Sequence, residues 1–156
     1  KRSYKMTFRL SRRSLRKLKG VDPKLVYLVK VAITKTNVDF GVVCGLRTMK
    51  EQIELVEQGA SKTYKSKHLE GLAVDLMAYC GSRASWEISL YDDIAEAMAE
   101  SARELNVKIR WGAAWTVPNI AEWSGTMEEA MNSYIDLRRL QNRRPFIDAP
   151  HFEIIP

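Results

Sequence analysis

The chain has 156 residues, 46% of them hydrophobic and 28% charged, with a formal net charge of +6. This length is that of one average domain, and this balance excludes a disordered or collagen-like chain. No stretch approaches the 18 apolar residues of a transmembrane helix, and the N-terminus lacks the apolar core of a signal peptide. We therefore expect a single domain over residues 1–156, made in the cytoplasm.

The positive charge is concentrated at the N-terminus. Residues 1–19 hold nine of the 25 Lys and Arg residues and no acidic residue, whereas the rest of the chain is slightly negative. A basic N-terminal arm (1–20) is typical of segments that bind an anionic polymer: nucleic acid, lipopolysaccharide, acidic lipid or anionic cell wall. The alternative is a solvated helix face whose charge is incidental.

Helical and strand patterns alternate along the chain. Capping signals at Asp22-Pro23, 48–51 and 126–129 mark three helix starts. We predict helices over 12–19, 23–35, 49–59, 86–105 and 127–141, and strands over 38–46, 72–79, 107–111 and 151–155. This pattern predicts an α+β fold with a small, mainly antiparallel sheet flanked by helices, and leaves the strand order open.

The two cysteines, Cys44 and Cys80, lie in or beside apolar runs, and no CxxC pair is present. We therefore expect buried free thiols rather than a zinc knuckle or a redox pair.

The first of only two histidines, His68, precedes a predicted strand that contains Asp75. A carboxylate in a buried strand is unfavourable unless it is paired or bound to a metal. Gly71, between the two residues, allows a sharp turn that could bring His68 back over the strand. A histidine and a carboxylate that converge in this way suit a zinc ion.

The second histidine, His151, follows Asp148 by three residues at the start of the last predicted strand. His151 and Glu153 then share one face of that strand. Together with His68 and Asp75, His151 makes a three-ligand zinc site with an open fourth position, which is the catalytic arrangement. Asp148 is then available as general base for a water molecule.

Several segments together resemble the zinc peptidases of the M15 family. Residues 66–75 (SKHLEGLAVD) resemble its SxHxxGxAxD signature, and 148–153 (DAPHFE) its second metal motif. Residues 45–48 (GLRT), with Gln52 following, resemble the segment before the first motif, and 110–112 (RWG) the strand found in the phage endolysin branch. The resemblance covers nearly the whole chain and is nearest to phage L-alanyl-D-glutamate peptidases.

This resemblance implies one zinc ion per chain held by His68, Asp75 and His151, with Asp148 as catalytic base and Arg47 as oxyanion stabiliser. It implies substrate-binding or supporting roles for three further residues: Ser66, Gln52 and Glu153. Ala114 stands where such endolysins often carry an aspartate in a WGxDW pattern, so any role of that aspartate is in doubt here. We expect the segment 116–145 to form a lid or an extra helix over the cleft.

The implied function is that of a phage endolysin that hydrolyses the L-alanyl-D-glutamate bond of peptidoglycan and lyses the host cell. It would accumulate in the host cytoplasm and reach the wall through a membrane lesion. We expect a monomer with no separate wall-binding domain and no specific nucleic-acid partner, the basic arm holding an anionic outer-membrane or wall polymer. The alternatives are a D-alanyl-D-alanine peptidase of the same superfamily, a catalytically silent metal-binding relative, and a basic nucleic-acid-binding module.

Overall fold

A computed structural model of the chain describes residues 7–156, so the first part of the basic arm lies outside the described residues. Helices and strands alternate along this part of the chain. The helices are α1 Arg12–Lys17, α2 Pro23–Lys35, α3 Met49–Glu57, α4 Ile88–Leu105 and α5 Met127–Leu140. The strands are β1 Asp39–Cys44, β2 Ala73–Cys80, β3 Arg83–Ser85, β4 Ile109–Trp111 and β5 His151–Ile154. Two 3-10 helices cover Lys67–Glu70 and Ile120–Glu122.

All nine predicted elements are present: α2 has the predicted bounds, β2 is shifted by one residue, and the other seven are shorter than predicted. The three capping signals are confirmed: the Asp22 side chain accepts from the backbone N–H of Lys24 at 2.8 Å, and α3 and α5 begin with complete capping boxes at Thr48 and Thr126. The prediction missed β3, because Arg83–Ser85 is three residues long and has no apolar alternation. It forms a hairpin with β2.

The strands form one antiparallel sheet in the order β1-β2-β5-β4, with β3 paired to the C-terminal half of β2. The predicted α+β class with a small antiparallel sheet is thus confirmed. Asp75 lies opposite His151 on β5 and opposite Cys44 on β1. Asp75, His151 and Cys44, from three neighbouring strands, therefore lie next to one another on the sheet.

The two faces of the sheet have different environments. Alternate residues of β2 and β5, among them Leu76 and Phe152, are fully buried in the hydrophobic core. α4 contacts β2 and β4 and packs against α2. Because side chains alternate between faces, Asp75, His151 and Glu153 point to the opposite face, which carries the site.

Two expectations need correction. Both cysteines are free, but Cys80 is exposed and Cys44 is only partly buried. Cys80 is the last residue of β2, where the strand reaches the hairpin turn, and Cys44 follows an irregularity in β1 that directs it toward the site. α5, in the segment 116–145, packs on α4, and within residues 7–156 it contributes no lining residue to the cleft around His68, so it is not a lid.

Within residues 7–156, none of the helices combines the length and the apolar character that crossing a bilayer requires.

Candidate metal centre

His68 is held by the turn that precedes β2. The Ser66 hydroxyl accepts a hydrogen bond from the backbone N–H of His68 at 3.2 Å and so caps the 3-10 helix. Gly71 ends that helix in the left-handed region, with φ 70°. The ring Nδ1 lies 2.9 Å from the Gly45 carbonyl oxygen and donates to it. In the neutral ring the lone pair is therefore on Nε2, which lies 3.3 Å from Asp75 Oδ2.

His151 approaches the same carboxylate from β5. Its Nδ1 lies 3.3 Å from Asp75 Oδ1, and its Nε2 lies 2.9 Å from Glu153 Oε1. Asp75 Oδ1 is buried and has no hydrogen-bond partner within residues 7–156, so the contact to His151 lacks hydrogen-bond geometry. One carboxylate thus faces one nitrogen from each of two histidines, with Glu153 fixing the ring of His151.

The charges of this cluster are tightly coupled in the metal-free chain. Burial alone would lower the pKa of each histidine, but Asp75 outweighs it, with help from Cys44 at His68 and from Glu153 at His151. The pKa of His68 rises to about 10 and that of His151 to about 9. Burial would raise the pKa of Asp75, yet the two histidines hold it well below its usual range.

Asp148 is positioned by close backbone packing against Gly112, which follows β4. The Gly112 N–H donates to the His151 carbonyl oxygen, and the Asp148 N–H donates to the Gly112 carbonyl oxygen, both at 2.8 Å. A Cβ at position 112 would lie 2.2 Å from the Asp148 carbonyl oxygen, so only glycine fits. Burial and the nearby Asp75 raise the pKa of the Asp148 carboxyl group.

Arg47 is held beside Asp75 by two neighbours. Its Nη1 donates to Gln52 Oε1 at 2.7 Å, its Nη2 donates to Cys44 Sγ at 3.2 Å, and the same Nη2 lies 3.7 Å from Asp75 Oδ2. Gln52 is fully buried, and its Nε2 donates to the Thr63 carbonyl oxygen at 2.7 Å. Gln52 therefore ties Arg47 to the 61–67 loop at the cleft.

Cys44 reaches the site through a β-bulge. The register of β1 against β2 shifts between Val42 and Cys44, which places Cys44 opposite Asp75. Bulges commonly redirect side chains next to active sites. Cys44 Sγ lies 3.6 Å from His68 Nδ1, and burial, which by itself raises the pKa of the Cys44 thiol, is outweighed by His68 so that this pKa is lowered.

A cleft of about 520 Å³ opens above this cluster. Trp115 and Phe146 form one wall: their rings stack with centroids 6.4 Å apart, and the Trp115 ring lies 5.5 Å from that of His151. The Tyr134 hydroxyl accepts from the Phe146 N–H at 2.9 Å and so fixes the wall to α5. The Ala114 side chain lies in the hydrophobic core, away from the cleft.

The structure brings all eight residues named from the sequence to this cleft or directly behind it. Ligand atoms within 4.8 Å of one another form two overlapping groups that share Asp75: Asp75, Asp148 and His151 in one, and Cys44, His68 and Asp75 in the other. Sequence reasoning missed Cys44, Trp115 and Phe146. Cys44 lies in an apolar strand pattern, and nothing local in the sequence marks it as a site residue.

Comparison with known proteins agrees with this geometry. Residues 6–155 match the family described as phage L-alanyl-D-glutamate peptidase. The chain belongs to this family. It is 29% identical over 114 residues to the L-alanyl-D-glutamate peptidase of Escherichia phage T5, a match that covers 70% of this chain and 83% of that protein. The crystal structure of the Serratia marcescens L-Ala D-Glu endopeptidase ChiX superposes with a TM-score of 0.71 at 32% identity, covering 96% of this chain and 91% of the other.

Membership of this peptidase family, together with the clusters of histidine, cysteine and carboxylate ligands, indicates that the chain uses a metal ion and acts on peptidoglycan.

Proposed function

We propose that this chain is a zinc-dependent phage endolysin that hydrolyses the L-alanyl-D-glutamate bond of peptidoglycan stem peptides. The observation that carries the proposal is the Asp75 carboxylate at the floor of a cleft: its two oxygens each face a nitrogen of one histidine, and the buried Oδ1 lacks a hydrogen bond. The chain's membership of the phage L-alanyl-D-glutamate peptidase family supports the choice of bond.

His68, Asp75 and His151 would hold the zinc ion. Two imidazole nitrogens and one carboxylate oxygen are a common donor set for catalytic zinc, and the unsatisfied Asp75 oxygen fits a cation in place of the missing hydrogen bond. When bound, zinc acts as a Lewis acid that acidifies water and polarises a carbonyl group. The thiol of Cys44 is a further, soft donor, and it lies on the side of the His68 ring that carries Nδ1. That nitrogen is already hydrogen-bonded to the Gly45 carbonyl oxygen.

Asp148 and Arg47 would perform the proton transfer and the charge stabilisation. Asp148 takes a proton from the attacking water as the new carbon–oxygen bond forms, and delivers it to the amine of D-glutamate as the carbon–nitrogen bond breaks. A raised pKa suits this carboxyl group to both steps. The guanidinium of Arg47, held by Gln52 and Cys44, stabilises the developing oxyanion.

The matched pair Asp148→Asn and Asp136→Asn tests this assignment. The first variant removes the base, and the second removes a carboxylate of α5 outside the cleft lining. We expect Asp148→Asn to retain one zinc ion per chain and to lose activity by about a hundredfold or more, while Asp136→Asn cleaves at the wild-type rate. Near-normal turnover by Asp148→Asn would show that another group is the base.

The basic arm would hold the enzyme on a phosphorylated outer-membrane or wall polymer. Ser14 in α1 and Leu18 directly after it are buried, and Ser14 Oγ accepts from the Val42 N–H at 2.9 Å, which fixes the helix to β1. The cations between residues 9 and 19 are exposed, and none is ion-paired with a carboxylate of residues 7–156: Arg9, Arg12, Arg13, Arg16, Lys17 and Lys19.

Sedimentation with lipopolysaccharide micelles tests this role. The Arg12→Gln, Arg13→Gln, Arg16→Gln triple variant should bind at least tenfold more weakly in low salt, yet digest soluble muropeptides at the wild-type rate. Equal binding by the two proteins would exclude α1 as the contact. Release from the host cytoplasm through a membrane lesion is part of the same proposal, and exogenous enzyme that lyses cells only after membrane permeabilisation would support it.

A further inference from the structure

Lysines of the 61–67 loop line one side of the cleft, facing its aromatic wall. Lys62, Lys65 and Lys67 contribute to the lining together with Arg47. All three lysines are exposed. These lysines therefore border the same cleft as the residues proposed to hold zinc.

The backbone that carries these lysines is fixed by a set of hydrogen bonds. Gln52 Nε2 donates to Ser61 Oγ at 3.0 Å and to the Thr63 carbonyl oxygen at 2.7 Å. The Thr63 hydroxyl in turn accepts from the Lys65 N–H at 2.9 Å. Because Gln52 also accepts from Arg47, the attachment points of Lys62 and Lys65 are held in a set position relative to the guanidinium group.

The carboxylates that line the cleft do not pair with these two lysines. Glu153 contacts His151, Asp75 contacts both histidines, and Asp148 forms no ion pair with Lys62 or Lys65. Within residues 7–156 neither Lys62 nor Lys65 forms an ion pair. Lys62 Nζ lies 4.7 Å from the centre of the Phe146 ring, a weak contact at an exposed site, whereas Lys67 lies 3.8 Å from Glu70. Lys62 and Lys65 are thus available to an anionic ligand.

The substrate class carries an anion next to the scissile bond. In a peptidoglycan stem, D-glutamate is joined to the next residue through its γ-carboxyl group, so its α-carboxylate is free. That carboxylate is attached to the Cα that bears the scissile nitrogen. We infer that Lys62 and Lys65 form a subsite for this α-carboxylate and make the enzyme select stems with D-glutamate over stems with its neutral amide, D-isoglutamine. The inference rests on the proposed function.

Two muramyl tripeptides that differ only in this group, L-Ala-D-Glu-L-Lys and L-Ala-D-isoglutamine-L-Lys, test the subsite. Exposed ion pairs each contribute modestly, so we expect wild-type kcat/KM to be roughly tenfold higher for the free acid, mainly through KM. The Lys62→Gln, Lys65→Gln variant should lose this preference, because its kcat/KM for the free acid should fall to about that for the amide. The Lys62→Arg, Lys65→Arg variant should retain the preference.

A charge-matched control is Lys30→Gln, Lys50→Gln, which removes two exposed lysines outside the cleft lining. It should behave as wild type. Equal wild-type kcat/KM for the two tripeptides would overturn the subsite while leaving the proposed function intact. An equal loss on both tripeptides in the Gln variant would also overturn it, since that result indicates a structural role for the lysines. Failure of the wild-type enzyme to cleave either tripeptide, or purified peptidoglycan, would overturn the proposed function and the subsite with it.

Discussion

Removing the proposed zinc ion should reverse the direction in which the protein's stability changes with pH. In the metal-free chain, the pKa of His68 is raised to about 10 and that of His151 to about 9. Groups with raised pKa values stabilise the folded state fully below their unfolded pKa of about 6.5, and this stabilisation is lost as pH rises through the folded values. The chelated protein should therefore become less stable between pH 6.5 and 10.

The size of the effect follows from these shifts. Each pKa unit corresponds to about 1.4 kcal/mol, but both shifts depend on the single carboxylate of Asp75, so they are not additive. We expect a decline in the free energy of unfolding on the order of 3–4 kcal/mol across this range. With zinc bound, the free energy of unfolding should instead increase with pH up to about pH 9. Metal binding requires deprotonated histidines, so it strengthens as pH rises.

Urea unfolding followed by tryptophan fluorescence measures the free energy of unfolding. Titrations at four pH values, with zinc or with a chelator, give its change with pH in both states. The lowered pKa of the Cys44 thiol has the opposite effect on stability to the raised pKa values of the histidines. A group with a lowered pKa contributes stability above its unfolded pKa, here about 9, and loses that contribution as pH falls. A chelated protein whose stability is constant or increases from pH 6.5 to 9 would refute the protonated state of these histidines.

Three further substitutions test other parts of the structure. Gln52→Leu should lower the free energy of unfolding by about 2–4 kcal/mol in urea titrations, because the hydrogen bonds that the buried Gln52 makes to Arg47 and to the Thr63 carbonyl oxygen are lost. Gln58→Leu, at an exposed position that follows the same helix, serves as control, and equal effects of the two substitutions would contradict the network. Gly112→Ala should lower the free energy of unfolding by about 1–3 kcal/mol and remove most of the activity, since the added Cβ meets the Asp148 carbonyl oxygen. An unchanged melting temperature and an unchanged rate of cleavage would contradict this packing. Asp92→Asn should stabilise the protein by about 1 kcal/mol at pH 7, after allowance for solvent screening. Burial, and then Glu128, raise the pKa of Asp92 to about 6. The wild-type protein therefore loses stability as pH rises from about 3.8 to 6. A stabilisation by Asp92→Asn that persists below pH 4 would show that ionisation of Asp92 is not its cause.

Much of the fold could be predicted from the sequence because its signals are local. Asp22, Thr48 and Thr126 each mark a helix start with a side chain that caps the backbone, and all three do so in the structure. The alternation around Asp75 and His151 correctly predicted which face of each strand is polar. Gly71 predicted the turn before β2, because left-handed backbone favours glycine.

What could not be predicted depends on contacts distant in sequence. Cys44 reads as an apolar strand residue, and only the bulge in β1 directs it toward Asp75. Likewise, Trp115 and Phe146 are 31 positions apart, and no local pattern indicates that their rings form one wall of the cleft. Strand order was open for the same reason, since pairing of β2 with β5 joins residues more than 70 positions apart.

A digest of purified peptidoglycan, with and without a chelator, tests the proposed function most directly when it is read by mass spectrometry. We predict release of stem peptides with new free amino groups on D-glutamate, abolished by the chelator and restored by zinc. Cleavage at another bond, cleavage that persists in the chelator, or intact peptidoglycan despite one bound zinc ion per chain would contradict the proposed activity.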